Sequence, residues 1–398
     1  VSAPGPGSND EELVMRVAMY WHNGRSLGHT AESAKIAAAL LDASPDVRFA
    51  GLTGAYRGLG MLPDAVDVVK LPSFANFDDP QGWRFRSRLG FAEDEFFAVR
   101  GELAQVFLRH YRPDVLLVNH LPSGAESELA PALQERAYTS AVLTLRGVLF
   151  DRAKTNREYF VGEVADHIAR TYERITVHAP PEVFRLEEHY DVPQELLGRL
   201  RYTGYLADPS PLTRAEARER RGWHPDERVM VASMGGGQGA GHIWAAVVQS
   251  LRANRRAFDR ALVVTGPYLE DAALRQVQAE SAHLDGTTVV TYDDDLPTAM
   301  KGADLFVGAA GSNMISEVLS VAANAVLVPR QLRESEQSIH VGLLGRRGLV
   351  RTAGLQQVLD GALDDLVGEA LAHPLAPDVP HLLGGARRYP QVLDEVVR

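Results

Sequence analysis

Three stretches of this sequence combine glycine, histidine and carboxylate in patterns suited to a polar, anionic substrate. In HNGRSLGHTAESAKIA, Gly24 and Gly28 flank a turn, and His29 and Thr30 stand where a helix begins. The unpaired N–H groups and the dipole of a helix start favour anions and polar groups. His29 is a candidate general base for an acceptor hydroxyl, because an imidazole near its unperturbed pKa is half free at neutral pH. The alternative is a histidine that caps or packs the turn. His22 on the same loop and His120, which ends the run DVLLVNH on the crevice side, are rival bases.

The second stretch, SMGGGQGAGH, follows a strand and opens a helix. Gly235, Gly236, Gly237 and Gly239, with Gln238 among them, remove side chains where a diphosphate must approach backbone amides. A tight structural turn is the alternative. The stretch does not follow G-x-G-x-x-G, and ALVVTGP stands where a dinucleotide-binding unit would end its next strand in Asp or Glu. That disfavours a dinucleotide oxidoreductase. The third stretch, DLFVGAAGSNMISEVLSVAANAVLVPR, is the most specific. A buried strand ends in the small-residue loop Gly311, Ser312, Asn313, and Glu317 lies one helical turn in, where a carboxylate can accept both vicinal hydroxyls of a ribose. The next strand leads to Glu336 and Gln337, which offer an acceptor and a mixed donor/acceptor to sugar hydroxyls. Base contacts are expected from backbone near Thr291 to Asp293, which includes Tyr292; the acidic run Asp293 to Asp295 is read as a helix cap, not a metal site.

Positioning these groups requires parallel strands covered by helices. Short apolar runs (RVAMYW, DVLLVNH, SAVLTL, RITVHA) alternate with helical patterns, and after RYTGYLADPSPLTRAEARERRG the rhythm restarts with RVMVASMGGG, ALVVTG, TTVVTY, DLFVGAA and AVLVPR. This predicts an α/β protein of two doubly wound domains, a first over residues 12–206 and a second over 207–377, with the linker at Tyr205 to Pro211 and Thr213 as a helix cap. Residues 1–11 are Pro/Gly/Ser-rich and are expected to be disordered. The aromatic and charged segment Leu71 to Val99 is a candidate wall for an acceptor or, alternatively, a packed hairpin or surface helix.

Composition narrows the partners. A length of 398 residues exceeds one ordinary core, and the net charge of −11 opposes phosphate backbones, so nucleic acid is not expected. Zero cysteines exclude disulfides, thiolate zinc and a cysteine nucleophile. No apolar run reaches membrane-span length and no signal peptide is evident, so the expected location is the cytoplasm.

With these motifs in place, the sequence from about Arg16 to about Val350 resembles the MurG-like glycosyltransferases, meaning the peptidoglycan N-acetylglucosaminyltransferase and its relatives, and more loosely the natural-product glycosyltransferases. HNGRSLGH resembles their first glycine loop, and RPDVLLVNHLPSGAESELAPAL, VLTLRGVLFD and RYTGYL resemble further segments. GGGQGA is similar to the Gly-Gly-Ser-Gln-Gly-Ala loop, with Gly237 in the serine position, and AAGSNMISE resembles the donor signature that ends in a ribose-binding glutamate, here Glu317. Ala309 stands where many natural-product enzymes carry a phosphate-binding histidine, and Glu336-Gln337 matches the pair that contacts the donor sugar. The resemblance implies a GT-B fold, a last helix over 378–398 that crosses back to the first domain, a metal-independent mechanism without cofactor, and inversion at the anomeric carbon. The expected substrates are a UDP- or dTDP-sugar and a small soluble acceptor of specialised metabolism, and a homodimer is left open. A lipid-linked acceptor is the alternative; it calls for an apolar and basic patch beside the first glycine loop, where only Arg25 is basic. A nucleotide-sugar epimerase or hydrolase of the same fold and a silent binding module are rival functions; an epimerase needs acids on both faces of the sugar, and no such set is evident in the first-domain loops.

Overall fold

The computed structural model describes residues 14–22, 27–79, 82–87, 89–331 and 335–397. The expectation for residues 1–11, and Gly24 and Arg25 of the first glycine loop, lie outside the described residues.

The apolar runs form two parallel sheets. In the first, β1 (Arg16–Trp21), β2 (Arg48–Thr53), β3 (Val66–Lys70), β6 (Val115–Asn119), β7 (Ser140–Arg146), β8 (Arg174–His178) and β9 (Leu200–Tyr202) lie in the order β3-β2-β1-β6-β7-β8-β9. Every neighbouring pair is parallel, with β1 in register with β2 (Val17 opposite Phe49) and with β6 (Val17 opposite Val115). In the second, β10 (Val229–Ser233), β11 (Arg260–Val264), β12 (Thr287–Val290), β13 (Leu305–Ala309), β14 (Ala325–Val328) and β15 (Arg351–Thr352) take the order β12-β11-β10-β13-β14-β15, again parallel throughout. Strands β6, β10, β13 and β14 are buried along their whole length, as expected of central strands covered on both faces.

This order dictates where a ligand can sit. The direction of winding reverses between β1 and β6 in one sheet and between β10 and β13 in the other, and crevices open beyond the carboxyl ends of strands at such reversals. The first reversal carries His22 and His120, and the second carries the glycine loop and Gly311. Helices α1 (Gly28–Ala43), α2 (Glu93–Tyr111), α3 (Gly241–Ala253), α4 (Ser312–Ser320) and α5 (Glu336–Arg346) follow the loops that matter below.

The segment Leu71 to Val99 forms an antiparallel hairpin, β4 (Phe74–Asp79) with β5 (Gly82–Ser87), followed by the start of α2. It is fixed by Arg100, fully buried, which donates to Glu128 at 2.5 and 2.6 Å and to the Pro72 carbonyl; Glu128 also accepts from Tyr20 at 2.5 Å. Phe74, Phe96 and Phe97 pack edge-on around that pair.

The chain crosses between the sheets twice. After β9 it passes through Tyr205 to Leu212 to a helix at Arg214–Arg221, which Thr213 and Glu216 close with a reciprocal capping box. It returns through Pro380–Leu382 to the last helix, α6 (Tyr389–Val397), whose Tyr389, Val392, Leu393 and Val396 pack with Val17, Met19 and Trp21 of β1. The two crossings run side by side: Tyr205 N donates to Leu382 O, Gly384 N to Ala207 O and Gly385 N to Tyr205 O, at 2.8, 2.8 and 2.9 Å. Contact this close requires glycine, because Gly204 has φ +84° and a Cβ on Gly385 would lie 2.4 Å from the Gly204 carbonyl oxygen.

Candidate functional site

The loops after β10, β11, β12, β13 and β14 converge with the start of α1 on one cavity of about 480 Å³. Gly235, Gly236 and Gln238 line it from the second glycine loop, Gly311, Ser312 and Asn313 from the start of α4, and Tyr292 from the loop after β12. Glu317, Glu336 and Gln337 complete the second domain's share, and Gly28 enters from the first. The second-domain groups lie far apart in sequence and meet because their strands end on one edge of one sheet, which the start of α1 faces from the other domain.

Gly237 plays a different part from its neighbours. It is buried beneath the loop with φ +83°, and a Cβ there would lie 2.3 Å from the Thr265 carbonyl oxygen, so it shapes the turn that presents Gly235 and Gly236. Gly239 is exposed, and its N–H donates to Glu270 at 3.1 Å. The acidic run is accounted for by local partners: Asp293 pairs with Arg221 at 2.6 Å, and Asp295 caps its helix by accepting from Thr298 N. Gln337 uses its carbonyl on the Arg330 N–H at 2.9 Å, which leaves its amide for a ligand.

On the first domain, His22, His29 and His120 come together, with ring centroids 4.6, 5.5 and 6.4 Å apart. Among the described residues no group of three or more His, Asp or Glu is arranged to hold a metal ion. His29 does not cap its helix; its Nδ1 lies 2.6 Å from Asn119 Oδ1 at the end of β6. An amide oxygen only accepts, so Nδ1 carries the proton and Nε2 keeps the lone pair of a base. His22 and His120 each bury an Nδ1 without a hydrogen-bond partner among the described residues, and His120 holds φ +68°. Among the described residues, His29 is thus the one of the three whose tautomer is seen to be fixed by a neighbour.

One sequence expectation is corrected here. His29 is not near its ordinary pKa: burial lowers it well below that value, the Arg146 cation and His22 lower it further, and the Asn119 hydrogen bond only partly opposes them. Burial likewise lowers His120 well below the ordinary range and His22 to about 4. The imidazole is therefore neutral across the whole physiological range, not half protonated.

Sequence reasoning also missed the charged residues between the domains. Glu32, buried one turn after His29, accepts from Arg146 Nε at 2.8 Å, and Arg146 also reaches within 3.8 Å of Glu336 across the cleft. The signal available was positional: Arg146 is the last residue of β7, at the carboxyl edge where ligands bind. Burial raises the Glu336 carboxyl while Arg146 opposes the rise, and burial raises Glu317 while Lys35 opposes it. Asn313 donates to Gly28 O at 3.1 Å, and Arg57 of the first domain stacks over Tyr268 of the second with its guanidinium 5.0 Å from the ring centroid.

Comparison with known proteins agrees with this geometry. Residues 230–376 match the Glycosyltransferase family 28 C-terminal domain. The solved structure of MurG from Acinetobacter baumannii superposes with a TM-score of 0.58 at 15% identity, over 96% of this chain and 99% of that one. The chain has a GT-B fold, and its second domain matches the family 28 C-terminal domain. In sequence, this chain is 32% identical over 144 residues to the UDP-N-acetylglucosamine--N-acetylmuramyl-(pentapeptide) pyrophosphoryl-undecaprenol N-acetylglucosamine transferase of Alkaliphilus oremlandii, and the match spans 35% of this chain and 39% of that relative's length. The protein of the same name from Mycobacterium tuberculosis is 24% identical over 379 residues, 93% of this chain and 84% of that relative.

Proposed function

We propose that this chain is a metal-independent, inverting glycosyltransferase that moves a sugar from a nucleotide diphosphate donor to an acceptor hydroxyl. The observation that carries the reading is the meeting of two half-sites. The second domain brings two glycine-containing loops, Glu317 and the Glu336–Gln337 pair to one cavity, and the first domain lines it with Gly28 and Arg146, Gly28 being followed in the chain by a histidine of fixed tautomer.

The chemistry follows from the groups present. His29 Nε2 takes the proton of the acceptor hydroxyl as its oxygen attacks the anomeric carbon and the bond to the diphosphate breaks. The leaving diphosphate gains negative charge beside the amides that open α3 and α4, where preorganised donors contribute about 3 kcal/mol each. Arg146 and Arg330, both lining the cavity, add positive charge from the two domains. Ala309 leaves no imidazole to share this task at the end of β13. Glu317 accepts the ribose hydroxyls, and Glu336 with the Gln337 amide orients the sugar.

The acceptor reading shifts with the comparisons. The relatives are named for transfer to a pyrophosphoryl-undecaprenol acceptor, which supports the lipid-linked alternative over a soluble acceptor of specialised metabolism. Among the described residues no helix is long and apolar enough to cross a membrane. A lipid-linked acceptor would be met where its polar head leaves the bilayer. An epimerase is less well supported. The two carboxylates that approach from opposite domains, Glu32 and Glu336, both face the one guanidinium of Arg146, not the two sides of an open ring site.

The deciding experiment measures UDP release from UDP-N-acetylglucosamine with a lipid-linked N-acetylmuramyl acceptor, with a panel of soluble sugars and cyclitols, and with none. Release that depends on the lipid-linked acceptor, with His29→Ala lowering kcat by roughly 10²–10⁴ and leaving UDP affinity intact, is the expected result. A folded His29→Ala variant that keeps more than about a tenth of kcat would remove the base assignment.

A further inference from the structure

Helices α1 and α4 belong to different domains but lie against each other in step. At their first turns Asn313 Nδ2 donates to Gly28 O at 3.1 Å and approaches Glu32 Oε1 at 3.5 Å. One turn past Asn313 stands Glu317, and one turn past Glu32 stands Lys35. Lys35 Nζ is buried and has no hydrogen-bond partner among the described residues. Lys35 and Glu317 both line a groove of about 980 Å³ behind the cleft, bounded by Leu206, Pro209 and Pro211 of the first crossing. Glu317 also lines the cleft cavity, so its carboxylate is part of the wall between the two spaces. A buried ammonium without a partner is costly unless an opposite charge faces it.

We infer that Lys35 is a positioning residue for the donor nucleoside: from the first domain, its ammonium supplies the counter-charge for Glu317 of the second, so that the carboxylate meets the ribose in its charged form while α1 and α4 lie together. This rests on the reading of Glu317 as the ribose carboxylate. Hydrogen bonds to an ionised acceptor are about twice as strong as neutral ones, so the state of Glu317 decides how well the ribose is held. Burial alone pushes that carboxyl up, and Lys35 is the charge that opposes it.

The other charges around Glu317 are already answered. On the groove side, Asp208 pairs with Arg387 at 2.8 Å, while Asp42 on α1 and Arg220 are exposed and screened by solvent. On the cleft side, Asp293 pairs with Arg221, Glu336 faces Arg146 and Arg330, and Asp294 is exposed. Among the described residues, Lys35 is left as the cation facing Glu317 whose charge is not committed elsewhere.

The test is calorimetric titration of UDP and 2′-deoxy-UDP between pH 5 and 9 against wild type, Lys35→Met, Lys35→Arg, Glu317→Gln and the Lys35→Met/Glu317→Gln double variant. Removing the ammonium raises the Glu317 pKa, so the acid-side loss of UDP affinity should move to higher pH by about one unit, which is about tenfold weaker binding on that limb and recovery toward wild type at pH 9. Lys35→Arg should follow the wild-type curve. The Lys35→Met effect should fall below about twofold in the Glu317→Gln background, because coupled residues are not additive, and should shrink but persist with 2′-deoxy-UDP, which keeps one of the two hydroxyls. A Lys35→Met curve parallel to wild type, or an equal loss in the Glu317→Gln background, overturns the inference while leaving the ribose assignment standing. Unchanged UDP affinity in Glu317→Gln overturns the ribose assignment itself.

Discussion

Replacing Asn119 by aspartate tests the proposed base without changing its shape. Asn119 Oδ1 lies 2.6 Å from His29 Nδ1, so the substitution sets a carboxylate oxygen in place of an amide oxygen at hydrogen-bond distance. Two unit charges about 4 Å apart interact by about 4 kcal/mol at an effective dielectric constant near 20. Divided by about 1.4 kcal/mol per pH unit, that is a ceiling of about three units on the rise of the imidazole pKa. Burial penalises the new carboxylate, and Arg146 competes for it, so a rise of about one to two units is expected. Histidine-selective NMR titration reads this directly, with the His29 signal identified by its loss in His29→Gln. In wild type the signal should remain neutral below the ordinary histidine range, because burial, Arg146 and His22 all disfavour the cation. In Asn119→Asp it should titrate at higher pH, and the acid limb of kcat should move up with it. The stability change has a fixed sign. The wild-type imidazole is depressed, so as pH falls below the unfolded value, near 6.5, the unfolded chain takes up a proton that the fold refuses and stability is lost; a smaller depression in the variant reduces that loss. The variant should therefore gain on wild type as pH falls. A His29 signal that titrates identically in both proteins, or a destabilisation that is the same at every pH, would refute the coupling and with it the assignment of Nε2 as base.

Three further outcomes follow from the same geometry. Glu317→Gln should weaken UDP binding by about 1.5–3 kcal/mol in calorimetry, because it removes the charged acceptor assigned to the ribose, and unchanged affinity would refute that assignment. Gly237→Ala should lower stability by about 1–3 kcal/mol and cost UDP affinity, because φ +83° is strained for alanine and its Cβ would lie 2.3 Å from Thr265 O; denaturant melts that match wild type would refute the turn assignment. Turnover should survive exhaustive chelation, since the leaving charge is assigned to helix amides and two guanidinium groups, and activity lost in chelator and restored by Mg²⁺ or Mn²⁺ would overturn that assignment.

The second-domain lining of the cavity was legible in the sequence because its signals are local. A strand, a small-residue loop and Glu317 one turn later occupy a single short stretch, and the strand rhythm places that stretch at the sheet edge. The first-domain side was not legible in the same way. Asn119 lies 90 residues from His29 and Arg146 lies 114 residues from Glu32, and these pairs exist only because β1 and β6 and then β7 lie side by side. Nothing local marks Asn119 as the partner of a histidine. The low pKa of His29 was missed for a related reason, since it depends on burial by several elements and on a cation contributed by another strand. The aromatic segment at Leu71 to Val99 had two readings, and pairing of β4 with β5 together with the buried Arg100–Glu128 pair produces the hairpin.

The paired crossings at Gly204 to Ala207 and Leu382 to Gly385 act mechanically like a pin. Two chain passages joined by three backbone hydrogen bonds hold the domains together at one place, so an opening of the cleft is expected to turn about it. Such a turn would change the separation of His29 from the glycine loops together with the Asn313–Gly28 and Arg146–Glu336 contacts. Bulk at Gly385, where the backbones nearly touch, would force the pin apart and so change donor capture and proton removal together even though it contacts neither substrate.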